Sequence, residues 1–195
     1  MLSLKDRIIH EALRQFSSKG FMSTSISDIL ESAGASKGGL YNHFKSKEDL
    51  FFAALSEARK IWRQRNLSGL DHCEQPLDKL KQILANYRDH YLADSENFPG
   101  GCVFVAVAVE LHDQQPHLAR EVIEGFNRFK AMIKRLLDQE QAAGHLRDGV
   151  DTGMATEIIF SGVLGACVSY TADKSKENLD HTIKGLIDFL TMISL

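Results

Sequence analysis

Proline is scarce in this chain of 195 residues: Pro76, Pro99 and Pro116 are the full set. Cysteine is equally sparse. Cys73, Cys102 and Cys167 stand far apart and no C-x-x-C occurs. An odd number at wide spacing argues against a disulfide scaffold and offers no zinc-ligand pattern. Long uncharged runs are also missing. The two longest, residues 97–109 and 158–172, fall short of the roughly 18–20 residues that span a bilayer. The N-terminal stretch carries Lys5, Asp6, Arg7, Glu11 and Arg14 where a signal peptide needs an apolar segment. There is no G-x-S-x-G, no Walker A and no H-E-x-x-H, and carboxylates and histidines are dispersed. The sequence therefore predicts no catalytic residues, no metal site, no cofactor and no membrane span, and a cytoplasmic location.

What is present fits a soluble globular protein: 44% hydrophobic residues, 25% charged residues and a net charge of −3. The acid excess lies beyond residue 50. Between Ala33 and Lys47 the chain holds Lys37, His43, Lys45 and Lys47 and no carboxylate. That window is either a solvated helix end or a small basic face, and a net-acidic protein can bind DNA through such a face.

Apolar spacing is helical almost throughout. Ile8, Ala12, Leu13 and Phe16 form the stripe of a first helix ended by Gly20. Ile26, Ile29, Leu30 and Ala33 form a short second helix, with Ser25 and Asp28 as a capping box and Gly34 as its breaker. Ser36 caps a third helix whose Leu40 and Phe44 point inward. A long fourth helix runs from Lys47 to about Asn66. Pro76 opens a fifth that reaches about Asp94. Val103, Val105, Val107 and Val109 alternate as a strand would, but nothing is available to pair with them, so residues 102–112 read as a buried helix. Three more helices follow: one from Pro116 to Gly144, one over 151–172 and one over 176–193. The expected fold is all-α, with about nine helices and no sheet.

The window Gly20–Leu50 has the layout of a helix-turn-helix, whose second helix enters the major groove. Ala33, Gly34 and Ala35 are small enough for two helices to cross closely. Opposite Leu40 and Phe44 lie Lys37, Gly38, Tyr41, Asn42 and His43, a set of donors, an amide and an aromatic. Asn reads adenine bidentately, and Lys and Tyr suit phosphate or guanine. Tyr41 also reads as a half-buried packing residue. Gly38 and Gly39 each cost a helix about 1 kcal/mol relative to Ala. Close approach to DNA and crowding against a neighbouring helix would both explain them.

The same residues carry a resemblance. Gly20, Thr24, Ser25, Ile26, Ile29, Ala33, Gly34, Ala35, Ser36, Gly38, Leu40, Tyr41, His43, Phe44, Lys47 and Leu50 stand in register with the pattern of the TetR/AcrR family of bacterial transcriptional regulators. The resemblance implies that Thr24, Tyr41, His43 and Lys47 touch phosphates. It implies that Ser36, Lys37, Gly38, Gly39 and Asn42 face base edges, with Ser25 in the same DNA-binding set. Family members often carry Thr at the position of Gly39, so a contact made by that hydroxyl or methyl is absent here. Residues 1–46 would form the DNA-binding domain and 47–195 a ligand-binding and dimerisation domain.

In the C-terminal part Tyr87, Tyr91, Phe104, Phe126, Phe129 and Phe160 either line an apolar ligand pocket or fill a core. Ser161, Gly165 and Ser169 make a small-residue stripe, and with Ile183, Leu186 and Leu190 of the last helix they resemble the family's dimer face. Tight packing within the chain is the alternative. The implied function is a homodimeric repressor that binds a palindromic double-stranded DNA operator and is released by a small-molecule effector acting through the fourth helix. Two alternatives stand beside it: thiol or electrophile sensing through Cys102, at a helix start, and a small-molecule carrier that does not bind DNA.

Overall fold

The computed structural model describes residues 2–195. Among the described residues there are nine α-helices: α1 (Leu4–Lys19), α2 (Ile26–Ala33), α3 (Lys37–Tyr41), α4 (Lys47–Asn66), α5 (Pro76–Asn86), α6 (Val103–Leu111), α7 (Pro116–Ala142), α8 (Thr152–Asp173) and α9 (Lys176–Ile193). Extended pairing among these residues is limited to an isolated antiparallel bridge between Leu146 and Ser194. Local chemistry sets most helix ends. Ser3, Ser25, Ser36, Asp151 and Ser175 cap α1, α2, α3, α8 and α9 with side-chain oxygens. Gly34 ends α2 in the left-handed region at φ +58°. The alternating valines do lie in a helix, α6.

Two compact units result, and they interleave along the chain. The first comprises Met1–Trp62 and Asp94–Val122, the second Arg63–Ala93 and Ile123–Leu195. A division after residue 46 therefore does not describe the tertiary units. Most of α4, all of α6 and the start of α7 belong with the N-terminal helices.

In the first unit α1 is the hub. Ile8, Ala12, Leu13 and Phe16 are fully buried, and α2, α3 and α6 all pack on this helix. Phe16, Phe21 and Phe51 form an aromatic cluster with ring centroids 4.9–5.6 Å apart. Within the same unit α4 is tied to α7. The Arg59 guanidinium donates to the Glu121 carboxylate at 2.8 Å, and His117 Nε2 lies 3.2 Å from Glu48 Oε2.

In the second unit α5 packs on α9, and α9 on α8. The fifth helix does not run as α-helix to Asp94. It turns into a single π turn over Tyr87–Tyr91, closed by Leu92 N–H donating to Tyr87 O at 2.9 Å. A 3₁₀ turn, Leu70–His72, lies in the loop before α5. Asn86, buried at the end of α5, donates to the carbonyls of Asn66 and Ser68 and fastens that loop. By length and composition α8 is long and apolar enough to cross a membrane, which charge-free runs alone did not reveal because Glu157 interrupts them. Its inner face meets α9 so tightly that a Cβ on Gly162 would fall 2.5 Å from Leu186 Cδ2.

The start of α5 lacks a cap of its own. Gln75 provides no side-chain bond and Pro76 no N–H, so the buried Glu140 of α7 accepts from Leu77 N–H at 2.7 Å and meets His145 Nδ1 at 2.9 Å. Removing this acceptor leaves a buried helix N–H unpaired. Glu140→Ala is expected to lower the unfolding free energy by about 2 kcal/mol, measured by urea denaturation. Glu140→Gln, which keeps an acceptor oxygen, is expected to lose clearly less.

Candidate nucleic-acid interface

α3 has five residues and owes its shape to its surroundings. Ser36 Oγ accepts from Gly39 N–H at 3.1 Å, and Leu40 and Phe44 anchor the helix in the core. The helix before it is fixed by a complete capping box. Asp28 N–H donates to Ser25 Oγ at 3.1 Å, and Ser25 N–H donates to Asp28 Oδ2 at 3.2 Å. The Ser25 backbone N–H, then the Ser25 side chain, hold the Asp28 carboxyl below the usual carboxylate range, helped by the charge of Lys19. Gly34 N–H donates to Glu31 O, and Ala35 N–H to Leu30 O, so the turn between α2 and α3 closes on itself.

The anchored helix leaves a polar face in solvent. Ser36, Lys37, Gly38, Tyr41, Asn42 and His43 are all exposed, Tyr41 by 57%. Tyr41 is thus an outward-facing ring rather than a packing residue. The paired glycines have different reasons. A Cβ on Gly39 would sit 3.1 Å from Leu4 Cδ2, so this residue lies close against α1. Gly38 has open space around it apart from its own cap at 4.0 Å.

Two of the residues expected to touch phosphate are engaged elsewhere. Thr24 is 1% exposed, and its hydroxyl donates to Gly20 O at 2.6 Å. It staples the turn between α1 and α2 and has no side-chain surface for a phosphate. Lys47 is half-buried, with its ammonium 4.3 Å from the centre of the Phe21 ring. Burial pushes its pKa down, against the pull of the nearby Glu110 carboxylate. Ser25 is exposed, but its Oγ serves the cap.

Sequence reasoning missed two cations beside this face. Lys45 is exposed immediately before α4 and was visible only as part of the basic window. Lys5 of α1 stands with its ammonium 5.9 Å from the centre of the Phe44 ring, a neighbour that only the tertiary fold supplies.

Five of the six aromatic residues expected to bind a ligand fall in the second unit. Tyr87, Tyr91, Phe126, Phe129 and Phe160 make a contiguous ring cluster in the second unit, with successive centroids 5.4–6.1 Å apart. Four of the five are buried and Phe126 is half-buried. Phe104 belongs to the first unit. A groove of about 440 Å³ in the second unit is lined instead by Arg88, Asp89, Tyr170, Lys176 and Asp180, among others. There Arg88 donates to both Asp89 and Asp180. Ile183, Leu186 and Leu190 are likewise not surface residues. All three are buried, and Leu186 sits against Gly162 of α8. Ser161, Gly165 and Ser169 are exposed, as a partner-facing stripe requires. Cys102 stands at the N-terminal boundary of α6 at 7% exposure, so its thiol is sheltered.

Comparisons with known proteins agree with this geometry. The family model described as "Bacterial regulatory proteins, tetR family" matches residues 8–54, and the one described as "Tetracyclin repressor-like, C-terminal domain" matches residues 76–186. The HTH-type transcriptional repressor DhaR of Mycobacterium sp. (strain GP1) is 22% identical over 191 residues, covering 97% of this chain and 90% of that protein. A TetR transcriptional regulator from Chloroflexus aurantiacus J-10-FL is 28% identical with a TM-score of 0.87, covering 98% of this chain and 96% of the other. The TetR family regulator CifR, solved as a cysteine mutant with 26-bp double-strand operator DNA, has the same fold at 18% identity and a TM-score of 0.78, covering 94% of each chain. With a C-terminal model matching more than half of its length and an N-terminal model falling on the helices just described, this chain belongs to the tetR family of bacterial regulatory proteins and is a transcriptional regulator.

Proposed function

We propose that the protein is a repressor that binds a palindromic operator as a homodimer, in the cytoplasm, and lets go of it when a small molecule binds its C-terminal part. The observation that carries the DNA reading is the exposed polar face of α3, raised on buried Leu40 and Phe44. Asn42 and Lys37 are the base readers of this face. Ser36, Gly38 and Gly39 let the backbone approach the groove edge, and Tyr41, His43 and Lys45 meet phosphates. Lys47 joins them by leaving the Phe21 ring. The relatives support the same direction, since DhaR is named a repressor and CifR was solved on operator DNA.

The dimer reading rests on α8. Met154, Ile158 and Val168 are 66%, 46% and 53% exposed, and with Ser161 and Gly165 they fall at helical spacing on one outward stripe. An apolar stripe of this length on a helix whose other face is already buried is what a second copy would cover. Gly165 has no neighbour within 4 Å of a built Cβ, so a partner helix can approach closely there. Gly185 of α9 is equally open.

The effector is assigned to the aromatic cluster of the second unit, where Phe126 remains half-buried beside Phe160. A ligand changes operator affinity only through its differential affinity for the two states.

Duplexes selected from a random pool on the purified protein are expected to contain an inverted repeat, with half-sites about 34 Å or a multiple of that apart. On such a duplex Asn42→Ala is expected to cost about 1–3 kcal/mol and to relax one base position. Lys45→Ala is expected to weaken all sequences alike and to reduce the salt slope by about one. Fluorescence anisotropy across a salt series measures both. Failure to enrich any sequence, together with tight uptake of a small molecule, would favour a carrier.

Placing a charge on the α8 stripe breaks the proposed dimer. Ile158→Glu is expected to sediment as the 21.8 kDa monomer with its helix content retained, where the unaltered chain sediments as twice that mass. Sedimentation velocity distinguishes the two.

A further inference from the structure

The α1–α2 turn holds a contact that the proposed DNA-reading surface does not use. Phe21 N–H donates to Glu110 Oε2 at 2.7 Å, and Met22 N–H donates to Glu110 Oε1 at 2.8 Å. Glu110 comes from α6, 88 residues further along the chain. Both carboxylate oxygens grip two successive backbone N–H groups. Phe21 is buried, so its N–H would otherwise be left without a partner away from water. The grip is crowded as well as bonded. A Cβ on Gly20, at φ +80°, would lie 2.6 Å from either oxygen.

The other end of α6 is fastened to the same helix. Ser17 Oγ donates to Gly101 O at 3.0 Å and accepts from Gly100 N–H at 3.2 Å. A Cβ on Gly100 would collide with the Ser17 carbonyl oxygen, so loop and helix touch backbone to backbone. Val103, Val107 and Leu111 bury one face of α6, and α6 packs on α1. Glu110 follows Val107 by three positions and therefore projects from that same face. All of these residues lie in one compact unit.

We infer that Glu110 is a positioning residue for DNA binding: without touching DNA, its two-oxygen grip on Phe21 and Met22 sets the angle at which the α1–α2 turn presents α2 and α3. The turn has other restraints: the Thr24 hydroxyl on Gly20 O, Thr24 N–H on Phe21 O, and the Phe21 ring packed with Phe16 and Phe51 and under Lys47. None of them satisfies the Phe21 and Met22 N–H groups. The inference rests on the DNA-binding reading above, and its test separates the two.

Glu110→Gln keeps the shape of the side chain but replaces one acceptor oxygen with a donor that faces a backbone N–H. Glu110→Asp keeps the charge near Lys47 and gives up the reach. Two readouts are taken on each variant: amide hydrogen exchange by NMR, and affinity for a duplex selected on the unaltered protein. Both variants are expected to exchange the Phe21 and Met22 amides faster while the Asp28 and Gly39 cap amides stay protected. If the binding-competent turn falls to about a tenth of the population, affinity falls about tenfold. The salt slope stays unchanged, because no phosphate contact has been removed. Unaltered affinity in Glu110→Gln overturns the inference. So does weakened affinity with both amides still protected, or full activity in Glu110→Asp, which would assign the effect to charge rather than grip. If the unaltered protein selects no duplex, the DNA-binding reading falls first and takes this inference with it.

Discussion

A helix of five residues has no stability of its own, since nucleating the first turn costs more than so few bonds return. Everything the proposed DNA-reading face offers on α3 therefore depends on burial behind it. Leu40 and Phe44 lock α3 from below, and Leu4 of α1 closes over Gly39. The first helix in turn is held by Ile8, Ala12, Leu13 and Phe16, and its end by the rings of Phe21 and Phe51. The reading face is rigid to the extent that this small core is complete. That is why a helix of minimal length, capped by Ser36, can present exposed Lys37 and Tyr41, with Asn42 and His43 directly after it.

The same dependence sorts the polar residues of the motif into two kinds. Thr24, Ser25, Asp28 and Ser36 spend their oxygens on the backbone of turns and caps. Lys37, Tyr41, Asn42 and His43 are exposed, and each keeps side-chain surface for a partner. A pattern of residue types cannot separate these groups, because a hydroxyl that caps a helix and one that meets a phosphate are the same letter. Lys47 is intermediate. Its ammonium rests on an aromatic face, an attraction of about 0.5–2 kcal/mol that a phosphate contact can outweigh.

In the second unit the informative contrast is between α8 and α9. Helix α9 buries one stripe, Leu179, Ile183, Leu186, Leu190 and Ile193, and shows solvent a polar one. Helix α8 is apolar on two faces, which is why its length and composition would also suit a membrane. One face meets α9 through Gly162 and Leu186. The other, bearing Met154, Ile158 and Val168, is the surface on which the proposed dimer depends.

The sequence by itself determined the helices, their caps and the helix-turn-helix. Those features arise from residues three or four positions apart, as in the Ser25–Asp28 box, or from a single backbone preference, as at Gly34. Tertiary structure alone decided which helices share a compact unit, that Phe104 falls in a different unit from the other five aromatics, and that Ile183, Leu186 and Leu190 face inward. It also brought Glu110 to the turn at Phe21 and Glu140 to the start of α5. The physical reason is range. A periodicity tells a residue which side of its own helix it occupies. What waits on that side is set by packing between segments up to 92 residues apart in the chain.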